Sequence, residues 1–216
     1  MGFSPRISEP RSGRQMIRFI RPVLANPAAY QLWFNVVGGS ASAKVLVNEY
    51  IQPRVGARIL EIGCGPGSIV GYLPQSEYLG FDINPKYIEQ ARRRFPTAHF
   101  VCERVSHMSL AKEQGFDIVL ALAIVHHLED VEALQLFQIA YDSLKPGGKL
   151  ITVDGVWTDG QSPIARWLLA RDRGEYIRSE REYVGIASQV FNNIRASVRH
   201  DLLRIPYSHL ILECVR

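Results

Sequence analysis

The chain has 216 residues, 47% of them apolar and 21% charged, with a formal net charge of +4. This is an ordinary globular composition, long enough to bury about 70% of its unfolded surface without a metal or disulfide staple. The three cysteines, Cys64, Cys102 and Cys214, have no metal-ligand spacing. They read as reduced, core-lining thiols of a cytoplasmic protein, and no apolar run approaches the roughly 20 residues that span a bilayer.

Much of the positive charge lies at the start, where Arg6, Arg11, Arg14, Arg18 and Arg21 face a lone Glu9. Residues 1–15 read as a flexible basic tail and 16–216 as a single domain. Residues 16–52 carry helical periodicity broken by Pro22 and Pro27, and are expected to form a helical lid that includes Tyr30, Trp33 and Phe34. Arg58–Ile62 is a short apolar run, the pattern of a strand buried on both faces. Gly63, Gly65 and Gly67 follow at alternate positions, and a short helix is expected from Ser68 to Leu73, ended by Pro74. Strand two, Tyr78–Phe81, finishes at Asp82. Asn84-Pro85 then opens a helix through Phe95, with a cap followed by proline at the first helical position. Arg92, Arg93 and Arg94 suit that helix's C-terminal end, where cations offset the macrodipole.

His99–Cys102 and Phe116–Ala121 make strands three and four, the latter running on to His126-His127. A helical stripe spans 131–144, Lys145–Gly148 turns the chain, and Lys149–Val153 is strand five, ending at Asp154. The alternation predicts a parallel sheet with right-handed crossovers. Residues 157–192 then break the pattern as a helical insertion, with helices near Ile164–Arg173 and Glu180–Phe191. A capping box at Ser179 and Glu182 opens the second of these. Ser197–Ile205 and His209–Val215 are two strands joined by only Pro206–Ser208, so the pair must be antiparallel. The expected fold is α/β, a Rossmann-like doubly wound, seven-stranded mixed sheet with a C-terminal antiparallel hairpin.

A strand running into a glycine loop, with an acid closing the next strand, describes a nucleotide or nucleoside site. Asp82, 19 residues after Gly63, can accept both hydroxyls of an adenosine ribose. A dinucleotide site asks for G-x-G-x-x-G, and the third glycine position here is Ser68. Glu61 beside the loop would repel a pyrophosphate but suits a sulfonium and an ammonium group.

Taken together, Ile59–Gly67, Asp82, Asp117–Leu128, Leu144–Gly148 and the terminal hairpin resemble the class I S-adenosylmethionine-dependent methyltransferases. The resemblance covers about 57–154 and the last 20 residues. It implies S-adenosylmethionine as cofactor, with Glu61, Gly63, Cys64 and Gly65 around its methionine part. It further implies Asp82 on the ribose, Ile83 flanking the adenine, and Ala121 on the fourth-strand side. The acid that usually follows strand three in the family falls at Glu103 one position early, or is replaced by Arg104.

Methyl transfer from a sulfonium is an in-line displacement, in which alignment matters most and a base serves only an acceptor that must lose a proton. His126 and His127, at the same sheet edge as the glycine loop, are the candidate catalytic bases; the bland alternative is that they pack the loop. Asp154, Trp157 and Tyr30 are secondary candidates for the acceptor pocket. Leu122–His126 lacks the Pro-Pro-aromatic motif of base amino methylation and the aspartates of metal-dependent relatives. These readings favour a small or medium organic acceptor, with neither a metal nor nucleic acid. Arg171, Arg173 and Arg178 are possible anchors for an acidic group on it. An RNA or protein methyltransferase that docks through the basic tail, and a non-catalytic S-adenosylmethionine binder, remain as alternatives.

Overall fold

The computed structural model describes Leu32 and residues 34–103, 115–172 and 174–216. The basic tail, Tyr30, Trp33, Arg104 and Arg173 lie outside the described residues.

Helix α1 (Gly39–Val45) continues as a π-helical turn, Leu46–Ile51, and leads into β1 (Arg58–Ile62). Then follow β2 (Glu77–Asp82), α2 (Pro85–Arg94), β3 (His99–Cys102) and β4 (Phe116–Leu122). Helix α3 (Asp130–Ser143) crosses to β5 (Leu144–Trp157). The insertion holds α4 (Pro163–Leu169), a short β6 (Arg178–Ser179) and α5 (Glu180–Ala187). The chain closes with β7 (Asn193–Arg199) and β8 (His209–Val215).

The main sheet runs β3-β2-β1-β4-β5-β8-β7, with β6 added beside β5. β1 to β5 are mutually parallel where they pair, and β8 is antiparallel to both β5 and β7. The expected seven-stranded path is therefore present, and the two-residue β6 makes an eighth strand. Alternation along each strand sends side chains to two cores. Leu60, Ile62 and Val119 face Leu136 and Phe137 of α3 and Tyr183 of α5. Ile59, Ile118 and Ile151 face Ile51, Ile88 and Phe100 on the other side. Each such fully buried side chain contributes roughly 1.5–3 kcal/mol.

Several boundaries differ from the sequence reading. The stretch after the glycine loop makes only a three-residue 3-10 turn, Val70–Tyr72, because Gly67, Gly71 and Pro74 leave too few helix-forming residues between them. Lys145–Gly148 is an irregularity inside β5 rather than a turn before it: β5 pairs with β4 at Leu144 and again from Lys149. Gly147 there takes φ 77°, and β8 pairing then carries the strand to Gly155. Helix α4 stops at Leu169, short of Arg173. The hairpin strand is Asn193–Arg199, so the connection is residues 200–208, longer than Pro206–Ser208. That connection is tied down by Arg204 N donating to Val37 O at 2.8 Å and by burial of Leu202 in the core.

The later part of the expected lid, 46–51, packs on the sheet, while Leu32 and Val36 before it are exposed. Val47, Tyr50 and Ile51 pack with Ile59, Ile151 and Ile211, and Arg199 holds Glu49 at 2.6 Å.

Candidate active site

β1 delivers the glycine loop to the C-terminal edge of the sheet, where Gly63 N and Cys64 N both donate to Phe81 O at 2.8 and 2.9 Å. Gly63 takes φ 75°, and a Cβ there would come within 3.0 Å of Ile124. Gly65 takes φ 53°, and a Cβ there would meet nothing within 4 Å. The loop is thus a backbone cradle with open space above its middle glycine.

Asp82 ties this loop to β2. Its Oδ2 accepts from Gly65 N and its Oδ1 from Asn84 N, each at 2.8 Å. Burial raises its carboxyl above the usual range, and these backbone donors oppose the rise. Each oxygen keeps a further lone pair for a ligand. Ile83, next in sequence, is 63% exposed although large and apolar. Glu103, half-buried at the end of β3, donates its N–H to Asp82 O at 3.0 Å.

Glu61 lies beneath the loop, only 3% exposed, and accepts the hydroxyl of Tyr78. Burial pushes its carboxyl up to about 8, against the opposing hydrogen bond from Tyr78. Cys64 packs over Gly80, where a Cβ would come within 2.9 Å of its Sγ, and burial raises its thiol. It is a packing residue, as is Cys214, whose thiol burial pushes up to about 12. Cys102 is exposed rather than core-lining: β3 is short and ends there, with Sγ directed at Ile83 O, 3.7 Å away. Ala121 is fully buried in the core. The end of β4 is presented instead by half-buried Leu122 and by Ala123, which takes φ 57°.

On the other side of the edge, the two histidines separate. His127 is exposed; its ring stacks on His126 with centroids 4.3 Å apart. His126 is 5% exposed, and its Nδ1 meets Asp154 Oδ1 at 2.7 Å, the same oxygen that accepts its backbone N–H at 3.1 Å. Its Nε2 faces Asp172 Oδ1 at 3.5 Å. Asp172 Oδ2 accepts the Tyr207 hydroxyl at 2.8 Å, and Tyr207 stacks on His209. Burial acts to raise the Asp172 carboxyl, but His126, the Gly174 amide and Tyr207 together hold it below the usual range. Burial pushes His209 down to about 4. Asp154 is 2% exposed, and its Oδ2 has no hydrogen-bond partner among the described residues.

The insertion is tied to this edge by Arg178, which is 7% exposed. Its guanidinium donates to Asp130 Oδ1 through Nε and Nη2 at 2.9 and 2.7 Å. It also donates to Val125 O, Tyr176 O and Leu128 O at 3.3, 2.9 and 2.7 Å. Its donors are used within the protein, so Arg178 is a structural clasp rather than an anchor for an acidic acceptor. Arg171 lies over the Trp167 ring at 4.0 Å. Trp157 donates Nε1–H to Ile177 O at 3.1 Å.

A family profile described as a methyltransferase domain matches residues 59–148, the stretch from β1 into β5 that carries the cradle, Asp82 and the histidines. That stretch is a methyltransferase domain, in keeping with the class I S-adenosylmethionine-dependent methyltransferases that the sequence resembles. Among curated relatives, trans-aconitate 2-methyltransferase of Afipia carboxidovorans is 37% identical over 103 residues, 45% of this chain and 39% of that protein. The match thus spans well under half of that relative's length. A TehB-like methyltransferase from Corynebacterium glutamicum superposes with TM-score 0.62 at 20% identity, covering 89% of this chain and 99% of that one. Phosphoethanolamine N-methyltransferase 2 of Haemonchus contortus, solved with phosphomonomethylethanolamine and S-adenosylhomocysteine, superposes with TM-score 0.73 at 16% identity. It covers 92% of this chain and 59% of that one. At these identities the two structures show the fold.

S-adenosylmethionine is the family's cofactor, and the residues present fit it. The space over Gly65 admits a ligand where a Cβ would intrude, Asp82 keeps acceptor capacity for a diol, and Ile83 offers an exposed apolar face to a purine. Sequence reasoning did not single out Asp172, Tyr207 or Tyr78. All three act through contacts between positions 17 to 46 apart in sequence, with no local motif to mark them.

Proposed function

We propose that this protein transfers a methyl group from S-adenosylmethionine to a small or medium organic acceptor. The observation that carries the reading is the Asp82 carboxylate, fixed by Gly65 N and Asn84 N at the mouth of the glycine cradle. Bound S-adenosylmethionine would supply an electrophilic methyl on a sulfonium. Gly63 and Gly65 would admit its methionine part, Asp82 would hold the ribose hydroxyls, and Ile83 would cover one face of the adenine. Glu103 stands beside the adenine side of this edge. Glu61, beneath the loop, would offer its carboxyl to the cationic end of the ligand, at which point ionisation becomes favourable.

The protein's main contribution is alignment, which can supply about 7–11 kcal/mol. Where the acceptor must lose a proton, His127 is the better-placed base, because its ring is exposed and the His126 ring is held between two carboxylates. The small-molecule class draws support from trans-aconitate and phosphomonomethylethanolamine in the relatives' names.

Calorimetry with S-adenosylmethionine and S-adenosylhomocysteine, on the parent and Asp82→Ala, tests the cofactor site. Equal affinity in the two would overturn it. Release of S-adenosylhomocysteine across a panel of organic acids, amines and phenols tests the reaction. Tight binding without release from any compound, including RNA and protein extracts, would identify a non-catalytic binder.

A further inference from the structure

The segment between α4 and β6, described at 170–172 and 174–177, lies against His126. Tyr176 N donates to His126 O at 3.0 Å, and Asp172 Oδ1 faces His126 Nε2 at 3.5 Å. Asp172 also accepts from Gly174 N and from the Tyr207 hydroxyl, both at 2.8 Å. One carboxylate therefore joins three places: the turn after β4, the connection before β8, and its own segment. Gly174 completes the fit, since a Cβ there would fall 2.0 Å from His126 Cδ2.

The two ends of this segment are anchored by other means. Leu169 at its start is 1% exposed in the core, and Arg178 at its end makes the five hydrogen bonds already described. Asp172 is thus not needed to attach the insertion. What it determines is the path of the few residues between the anchors, which pass beside the exposed His127 and the end of β5.

We propose that Asp172 is a positioning residue for the methyl acceptor: by pairing with His126 and Tyr207 it fixes residues 170–172 and 174–177 as one wall of the acceptor pocket. The inference rests on the methyltransferase reading. Asp154 holds the opposite nitrogen of the same imidazole, so His126 acts as the peg to which the wall is fastened, and His127 is left to face the acceptor. An imidazole placed between two carboxylates is held most firmly when it carries a proton, and the Asp172 contact is the more exposed and more easily exchanged of the two.

The test uses the full chain with three substitutions: Asp172→Asn, Gly174→Ala and Tyr207→Phe. Trypsin cleavage after Arg171, with S-adenosylhomocysteine present, should quicken at least tenfold in the first two and about threefold in the third. Affinity for S-adenosylhomocysteine should stay within twofold of the parent. With whichever panel compound the parent turns over fastest as probe, Asp172→Asn should raise KM at least tenfold and change kcat less than threefold. Unchanged cleavage in both Asp172→Asn and Gly174→Ala would overturn the proposal. So would unchanged KM, or a loss of S-adenosylhomocysteine affinity parallel to the cleavage, which would mark general unfolding. If the parent itself fails to bind S-adenosylhomocysteine, it is the methyltransferase reading that fails, and the cleavage result still decides whether the latch exists.

Discussion

The two halves of the sheet edge are built by different means. On the cofactor side the groups that would meet the ligand are mostly backbone, held by an acid close in sequence. Asp82 reaches Gly65 across 17 residues and Asn84 across two. On the proposed acceptor side the framework is made of side chains from distant segments: His126 with Asp154, Asp172 with Tyr207, Arg178 with Asp130. The first arrangement hardly depends on which side chains surround it and suits a ligand common to a family. The second can be rebuilt one residue at a time and suits a substrate that differs among relatives.

This contrast can be broken at defined points. The largest effect should come from Asp154→Ala, which strips a buried imidazole of its partner at 2.7 Å and should lower stability by about 3–5 kcal/mol. Urea unfolding would measure it, and cofactor affinity at low denaturant should be spared. Next is Glu61→Gln on the cofactor side. The Glu61 carboxyl ionises near 4.5 when free and near 8 when buried, so its contribution is fully present below pH 4.5 and lost as pH rises through 8. The substitution should flatten that decline, with a gain on the order of a few kcal/mol at pH 8. Thermal melts without ligand at a series of pH values would show it.

Asp82→Ala should lower S-adenosylmethionine affinity about 100-fold, roughly 3 kcal/mol, by removing charge-assisted hydrogen bonds. Stability should change little beside that. The smallest effect belongs to a control at the opposite sheet edge. Asp117 accepts from Arg58 N at 2.9 Å and Lys145 Nζ at 3.1 Å, and these contacts, the backbone donor first, hold its carboxyl below the usual range. Its stabilisation is present above the ordinary carboxylate range and lost as pH falls through its lowered value. Asp117→Asn should therefore destabilise by about 1 kcal/mol at neutral pH, with neither ligand site affected.

What could be read from the sequence follows the same division. The succession of strands, the antiparallel end and the cradle were all legible, because each rests on a local pattern: an apolar run, glycines at alternate positions, an acid closing a strand. Asn84-Pro85 and the Ser179/Glu182 box were legible for the same reason, and both caps are present. The length of β5 was not, since Pro146, Gly147 and Gly148 signal a turn while pairing with β8 keeps the chain in the sheet. Nor was the division of labour between His126 and His127. Adjacent, identical residues carry no sign of which will meet Asp154, and the answer comes from an aspartate 28 residues on. Arg178 read as a free cation for a related reason: its acceptors are mostly main-chain carbonyls, which no side-chain pattern reveals.

The Arg178 clasp also bears on how the molecule comes apart. One guanidinium gathers acceptors from the turn after β4, the start of α3 and the segment just before its own strand, so these bonds form and break together. The insertion from α4 to α5 should then open as one cooperative unit, below the free energy of global unfolding. In native-state hydrogen exchange, amides of α4 and β6 would share a single opening free energy, distinct from that of β1 and β4, and Arg178→Lys would lower the first and leave the second in place.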